Sequence, residues 1–376
     1  MNTNMRLQSI DAQYTYPIDQ SRWRAEDGQL LDLSYTPSFD PKDIVSQDFS
    51  MWRYRQVLPL DPKTVPVSMN EGLTPLVKVD LDGRRVEMKL DYLFPSGSYK
   101  DRGATLLVSY ARQLGVKSMV QDSSGNAGCA IAHYAALAGM DCEIFVPAST
   151  SPAKLLQIKA VGAKVTLVPG SREDTAQAAM VAAEDRFYAS HVWQPWFFHG
   201  TKTFIYEVME QRSWQAPDTL ILPAGNGTLL LGVYLGLVEL KNAGVISKMP
   251  KLIGIQAENC APLFHAFAQG LSQITTVLTQ KTVAEGIAIA IPRRAPQMIE
   301  YVKNTQSRFL AVTEEEITSA LKTMLQKGFC LEPTSAAVVA GVRQYLSQHA
   351  TLDEDIVSVI TGHGLKAAEK IDQLIK

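Results

Sequence analysis

The sequence offers little that would tie it to a membrane, a nucleic acid or a structural metal. No stretch of its 376 residues is apolar and long enough to span a bilayer, and the opening MNTNMRLQSIDAQ lacks the apolar core of a signal peptide. Lys and Arg total 36 against 38 Asp and Glu, a formal net charge of -2, and no basic run is dense enough to serve as a backbone-binding arm. Nucleic acid and acidic membrane surfaces are therefore not expected partners. Only four cysteines occur, at Cys129, Cys142, Cys260 and Cys330, with no Cys-x-x-Cys or zinc-like spacing. Cys129 and Cys142 sit in apolar stretches and read as buried free thiols, which fits a reducing, cytoplasmic setting. No internal repeat argues for a solenoid.

What is present is an alternation of short apolar runs with helical periodicity. SMVQD (118–122), CEIFV (142–146) and KVTLV (164–168) read as strands, as do TLILP (219–223), LIGIQ (252–256) and IVSVIT (356–361). Helical spacing runs through DRGATLLVSYARQLG, stopped by Gly115, and AGCAIAHYAALAG is apolar nearly all round, as a buried helix would be. Ser171 with Asp174 resembles a capping pair for a helix through Ala183, and Thr313 with Glu316 gives the same signal for 313–327. Further helices are expected at 228–242, 333–347 and 364–375. Such alternation predicts parallel sheets covered by helices on both faces. Two runs of it, parted by FYASHVWQPWFFHG, predict two α/β domains with a cleft between them. The expected division is an irregular N-terminal extension over 1–64, a smaller mobile domain over 85–195, and a larger one from 65–84 plus 196–376.

Three loops sit where open α/β sheets place ligands. In PSGSYKDRGA (95–104), Lys100 opens a helix. A helix N-terminus disfavours an ammonium, so a lysine there should deprotonate more readily, and a neutral amine is what a Schiff base with an aldehyde needs. Read alone, the same lysine is compatible with a solvated surface position. DSSGNAG (122–128) offers backbone N–H groups and serine hydroxyls suited to a carboxylate, and the Asn126 amide suits a phenolate oxygen, although a plain turn has the same composition. In PAGNGTLLLG (223–232), Gly225 and Gly227 let the backbone approach a ligand ahead of a helix, an anion cradle for one phosphate. Leu230 stands where a dinucleotide fingerprint needs its third glycine, and no Gly-Lys-Ser/Thr follows.

These three segments in this order resemble the fold-type II pyridoxal-phosphate (PLP) enzymes, and specifically the threonine synthase family. NEGLTPL (70–76), CLEPTSAA (330–337) and ITGHGLK (360–366) are also similar to that family, and the likeness spans about residues 50 to 370. The resemblance implies a tryptophan synthase β-like fold, with two α/β domains of parallel or mixed sheet flanking a PLP cleft. It further implies that Lys100 carries pyridoxal 5'-phosphate as a Schiff base and moves the substrate proton. Asn126 would contact the ring hydroxyl, and Gly225, Asn226, Gly227, Thr228 and Leu229 would hold the phosphate through backbone N–H groups. Thr361 would face the pyridine nitrogen, with a hydroxyl suited to elimination chemistry. Ser123, Ser124, Gly125, Asn126 and Ala127 would grip the substrate carboxylate. The implied activity is a lyase of amino-acid metabolism, O-phosphohomoserine to threonine plus phosphate, in a homodimer.

The chain also departs from that pattern. Phe197 stands where the family has an arginine in Asn-Pro-x-Arg, here Gln194-Pro195-Trp196-Phe197, and loss of a bidentate guanidinium should weaken binding of a substrate phosphate. Arg293, Arg294 and Lys202 are candidate replacements, and Phe197→Arg is expected to improve use of phosphohomoserine. Phe94 replaces an asparagine, and Tyr99 replaces the phenylalanine before the lysine. WRAEDGQLLDL (23–33) and SMWRYRQVLPL (50–60) resemble an extension that often carries paired cysteines; these are missing here, so no zinc or other metal is expected. Glu285 reads as a cleft carboxylate or a solvated loop acid, Glu332 as a helix-start acid, and His363 as a proton shuttle or a turn residue. Trp193, Trp196, Phe197 and Phe198 read as pocket lining or core. The rival functions are a threonine or serine dehydratase, a PLP-binding protein with little turnover, and a dinucleotide-dependent oxidoreductase.

Overall fold

The computed structural model describes residues 5–274, 279–348, 351 and 353–376, so the first four residues of the extension lie outside it. The chain divides into two compact units: residues 1–73 with 100–203, and residues 74–99 with 204–376.

The first unit is built on a four-stranded, wholly parallel sheet in the order Lys164–Val168, Asp141–Pro147, Ser118–Gln121, Phe187–Tyr188. Helices Lys100–Gln113, Asn126–Leu137, Pro152–Ala160 and Arg172–Ala182 accompany it. Asn126–Leu137 buries Ala127, Cys129, Ala130, Ile131, Ala132, Tyr134 and Ala135, while Ala136 and Leu137 near its end are exposed. The Ser171–Asp174 capping box is present at the start of Arg172–Ala182.

The extension, expected to be irregular, is largely so but carries three short strands and two 3-10 turns. Arg6–Ser9 pairs antiparallel with both Thr15–Tyr16 and Leu31–Ser34. Leu7, Leu31, Met51, Trp52 and Val67 share one apolar core with Leu107, Ile131 and Trp196. Burying side chains of this size contributes about 1.5–3 kcal/mol each. The residues before 74 thus belong with the lysine-bearing helix, whereas the sequence had grouped 65–84 with the later unit.

The second unit holds a six-stranded mixed sheet in the order Phe309–Val312, Lys251–Ala257, Thr219–Pro223, Ile356–Val359, Arg84–Lys89, Leu76–Leu81. All neighbours run parallel except the last pair, an antiparallel hairpin turned at Asp82-Gly83 with φ of 53° and 79°. Two successive positive φ values make a type I′ turn, which Asp-Gly favours. Because Arg84–Lys89 pairs with Ile356–Val359, residues 85–99 lie in this unit rather than in the first. Every residue of Thr219–Pro223 is buried, as in a strand covered on both faces. Thr313 and Glu316 form the expected capping box of Glu314–Gln326.

Inside the second unit lies a fully buried ion pair. Lys89 Nζ is 2.8 Å from Glu207, both side chains at 0 % exposure. The ammonium also donates to the Thr74 carbonyl at 2.6 Å and to Gln211 Oε1 at 2.8 Å.

Candidate active site

The expected site residues fall into two groups. Lys100 and the Ser123–Ala127 loop belong to the first unit; Gly225–Leu229 and Thr361 belong to the second. Tyr99, the residue bonded to Lys100, is the last residue of its segment of the second unit.

Lys100 is the first residue of helix Lys100–Gln113, as its sequence position implied. Its Nζ lies 5.7 Å from the ring centroid of Phe197. Gly103, three residues along the same helix, makes room for that ring: a Cβ there would lie 2.3 Å from it. Phe197 and Gly200 lie on helix Pro195–Thr201, which meets Lys100–Gln113 closely, since a Cβ at Gly200 would lie 2.1 Å from the Arg102 carbonyl oxygen. His191 meets Phe197 edge-on at 6.0 Å. Its imidazole is held well below the usual histidine range by burial and then by the positive charges of Lys100 and Arg172, so it is neutral at physiological pH.

Of the aromatic cluster, Phe197 lies beside the lysine, and Trp193, Trp196 and Phe198 pack as core. Trp193 meets Trp23 edge-on at 5.0 Å, and Trp196 stacks on Tyr110 at 3.5 Å while its Nε1 donates to the Pro59 carbonyl at 2.9 Å. Phe198 is buried as well.

The Ser123–Ala127 loop follows the C-terminal end of strand Ser118–Gln121, the edge of a parallel sheet where ligands bind. Gly125 is the N-cap of the next helix and donates its N–H to Ser123 Oγ at 3.2 Å. Gly128 holds the loop against the helix: a Cβ there would sit 1.8 Å from the Ser123 carbonyl oxygen. Asn126 is the first helical residue.

In the second unit, Gly227 is the N-cap of helix Thr228–Asn242 at φ 77°, the left-handed region that favours glycine, and no side chain caps that helix. A Cβ at Gly225 would approach the Ile287 Cα to 2.9 Å. Thr228 Oγ1 lies 2.8 Å from the Tyr99 hydroxyl. The turn therefore presents glycine backbone, a hydroxyl and the positive end of a 15-residue helix, a donor set that suits a phosphate dianion.

Thr361 is buried beside Ser335, a residue the sequence reading did not single out. Ser335 Oγ accepts the N–H of Thr361 at 2.9 Å and of Gly362 at 3.1 Å. Ser335 Oγ also lies 2.9 Å from Thr361 Oγ1, where either hydroxyl can donate. Ser98 Oγ, fully buried two residues before Lys100, makes no hydrogen bond with any described residue. The unpartnered Ser98 hydroxyl and the Thr361 hydroxyl fit a small polar group, and the glycine turn fits a phosphate.

The remaining candidates resolve as follows. Glu285 is half-exposed and pairs with Lys370. Glu332 is buried ahead of helix Pro333–Gln348, with Gly362 packed so closely on its carboxylate that a Cβ there would lie 2.3 Å away. The His363 ring stacks on Tyr92 at 5.3 Å and its Nδ1 accepts the Leu365 N–H, the geometry of a turn residue. Burial, then the Lys366 charge, lowers its pKa. Lys202 lies 5.3 Å from the Tyr35 ring centroid, buried; Arg294 is buried and donates to Gln297; Arg293 is exposed. Cys129, Cys142 and Cys260 are buried free thiols, and burial pushes Cys142 up to about 12. Among the described residues no cluster of three or more His, Cys, Asp or Glu could hold a metal ion, and no helix is long and apolar enough to cross a membrane.

Residues 67–362 match the family model "Pyridoxal-phosphate dependent enzyme". The chain is 34% identical to the threonine synthase of Methanocaldococcus jannaschii over 367 residues, which covers 94% of this chain and 90% of that one. In structure it is similar to a pyridoxal 5'-phosphate-dependent aspartate racemase (TM-score 0.70, 20% identity, 80% and 93% of the two chains). It is also similar to threonine deaminase isoform 2 of Solanum lycopersicum (TM-score 0.66, 22% identity, 81% and 83%); at these identities the likeness is one of fold, the tryptophan synthase β-like fold expected from the sequence. The chain belongs to the pyridoxal-phosphate-dependent enzymes and, among them, to the threonine synthase family: it is a lyase whose cofactor is pyridoxal 5'-phosphate.

Proposed function

We propose that the protein converts O-phosphohomoserine to threonine and phosphate, with Lys100 as the residue that carries the cofactor and transfers the substrate's protons. The observation that carries this reading is the near full-length similarity to a threonine synthase, 94% of this chain against 90% of the relative. When bound, pyridoxal phosphate supplies an electron sink for charge developing on the amino-acid carbons.

The chain's own residues take defined parts. Lys100 Nζ, placed beside the Phe197 ring and a neutral His191, has an aromatic neighbour and an uncharged one, so proton transfer at that nitrogen is not opposed by an imidazolium. Ser123, Ser124, Gly125, Asn126 and Ala127 would bind the substrate carboxylate through hydroxyl and backbone donors at a helix N-terminus, and the Asn126 amide would donate to the cofactor's ring oxygen. Gly225, Asn226, Gly227, Thr228 and Leu229 would hold the cofactor phosphate by their N–H groups. Thr361, paired with Ser335 at 2.9 Å, would offer its hydroxyl to the ring nitrogen. A hydroxyl in that place, unlike a carboxylate, would not keep the nitrogen protonated, which suits elimination and replacement chemistry.

Phe197 favours a second reading, dehydration of threonine or serine to an oxo acid and ammonia, because no guanidinium occupies that position to meet a substrate phosphate. The burial of Phe197 also revises one expectation from sequence. At 0 % exposure, packed on Gly103, this position has no room for a solvated charge. Phe197→Arg is therefore expected to destabilise the protein by about 2–4 kcal/mol rather than create an anion site, measured as a lowered denaturation midpoint.

Product analysis decides between the readings. With O-phosphohomoserine, threonine and phosphate should appear in equal amounts, at a kcat/KM on the order of 100-fold or more above that for threonine dehydration. Oxo acid and ammonia from threonine or serine, without phosphate release from phosphohomoserine, would establish the dehydratase instead. Absence of any product would leave a cofactor-binding protein with little turnover.

A further inference from the structure

Phe197 sits where it can bias the charge of the reacting nitrogen. Lys100 and Gly103 lie one turn apart on one face of helix Lys100–Gln113, and the Phe197 ring packs on that face at Gly103. Lys100 Nζ stands over the ring, 5.7 Å from its centroid, and the ring itself is wholly buried. A guanidinium in this place would repel a positively charged nitrogen, whereas the negative face of an aromatic ring attracts it. We propose that Phe197 is a positioning residue acting through Lys100, its ring stabilising the protonated form of the cofactor–lysine adduct. A protonated carbon–nitrogen double bond is the more electrophilic form. The ring therefore keeps the adduct open to attack by an incoming amino group at higher pH.

The charges around Lys100 are otherwise close to balanced. On its own helix, Asp101 and Arg102 are both buried and bring one charge of each sign, while the helix N-terminus adds partial positive charge. Ahead of helix Pro195–Thr201, His191 meets the ring edge-on at 6.0 Å and is neutral, with Arg172 acting on it. His199 on that helix is held neutral by burial and then by the Lys202 charge at the helix end. On helix Asn126–Leu137, the Tyr134 phenol is pushed up by burial and then by the Asp101 and Glu71 carboxylates, so it is uncharged as well. The ring face thus opposes the helix N-terminus at this nitrogen, and its burial keeps water from screening the attraction.

The proposal rests on the reading of Lys100 as the lysine that carries the cofactor, and the test separates the two. Absorbance of the holoenzyme gives the pH at which the visible band changes as the adduct loses its proton. It is measured with phenylalanine at position 197 and with mono-, di- and trifluorophenylalanine installed there. Fluorine withdraws electron density from the ring face and leaves its size and packing nearly unchanged. The midpoint should fall stepwise along that series, by about 0.5–1 pH unit in all. Phe197→Leu, which has no ring, should show the full fall. A midpoint that drops in Phe197→Leu but stays level along the fluorinated series would reduce the ring to a packing role and overturn the proposal. So would a midpoint level in every variant. The underlying reading fails on separate evidence, a visible band that survives at full strength in Lys100→Ala.

Discussion

Lys100→Ala is expected to abolish the visible absorbance of the cofactor–lysine adduct and to reduce turnover by on the order of 1,000-fold or more. The substitution removes the only atom at this position able to bond the cofactor's aldehyde, and the proton-transfer group with it. Proton transfer by a positioned side chain is commonly worth about 10²- to 10⁴-fold. The helix should survive, because alanine is the best helix former and Asp101 remains in the first turn. Absorbance spectra and circular dichroism of the same preparation separate the two effects. A visible band that persists at full strength in the folded variant would place the cofactor on another lysine.

Glu207→Ala should be the most destabilising of the substitutions considered, at about 3–5 kcal/mol, because it strands the Lys89 ammonium at 0 % exposure. The Thr74 carbonyl and Gln211 Oε1 would still accept from it, but neither carries a compensating charge. A melting temperature lower by on the order of 10 °C follows from the usual entropy of unfolding for units of this size. Lys89→Met with Glu207→Leu removes both charges together and should recover most of the loss, as buried pairs replaced by apolar residues commonly do. If the single variant melts within a degree or two of the parent, the pair is not buried in solution.

The parallel strands were legible because burial on both faces leaves continuous apolar runs such as Thr219–Pro223, and the helix starts at Arg172 and Glu314 because their capping boxes are local. The hairpin of Leu76–Leu81 and Arg84–Lys89 was not read from the sequence. Its strands carry Lys78, Asp80, Arg84 and Arg85 on an edge, and only the Asp-Gly turn signals it. The extension hid for a different reason. Its strands are two to four residues long, and the partners of Leu7, Leu31 and Met51 lie far along the chain. The same holds for Ser335, an unremarked serine in CLEPTSAA until residue 361 is brought to it, and for the Lys89–Glu207 pair. In the glycine-rich segments the local chemistry sufficed: Gly227 does cap a helix in the left-handed region, and Lys100 does open one.

The central claim is that Lys100 bonds the cofactor. Reduction of the holoenzyme with borohydride fixes that bond, and peptide mapping then locates it. The account predicts a pyridoxyl group on the peptide containing Lys100 and on no other. A label on Lys89, Lys202 or any other lysine, with Lys100 unmodified, would contradict it.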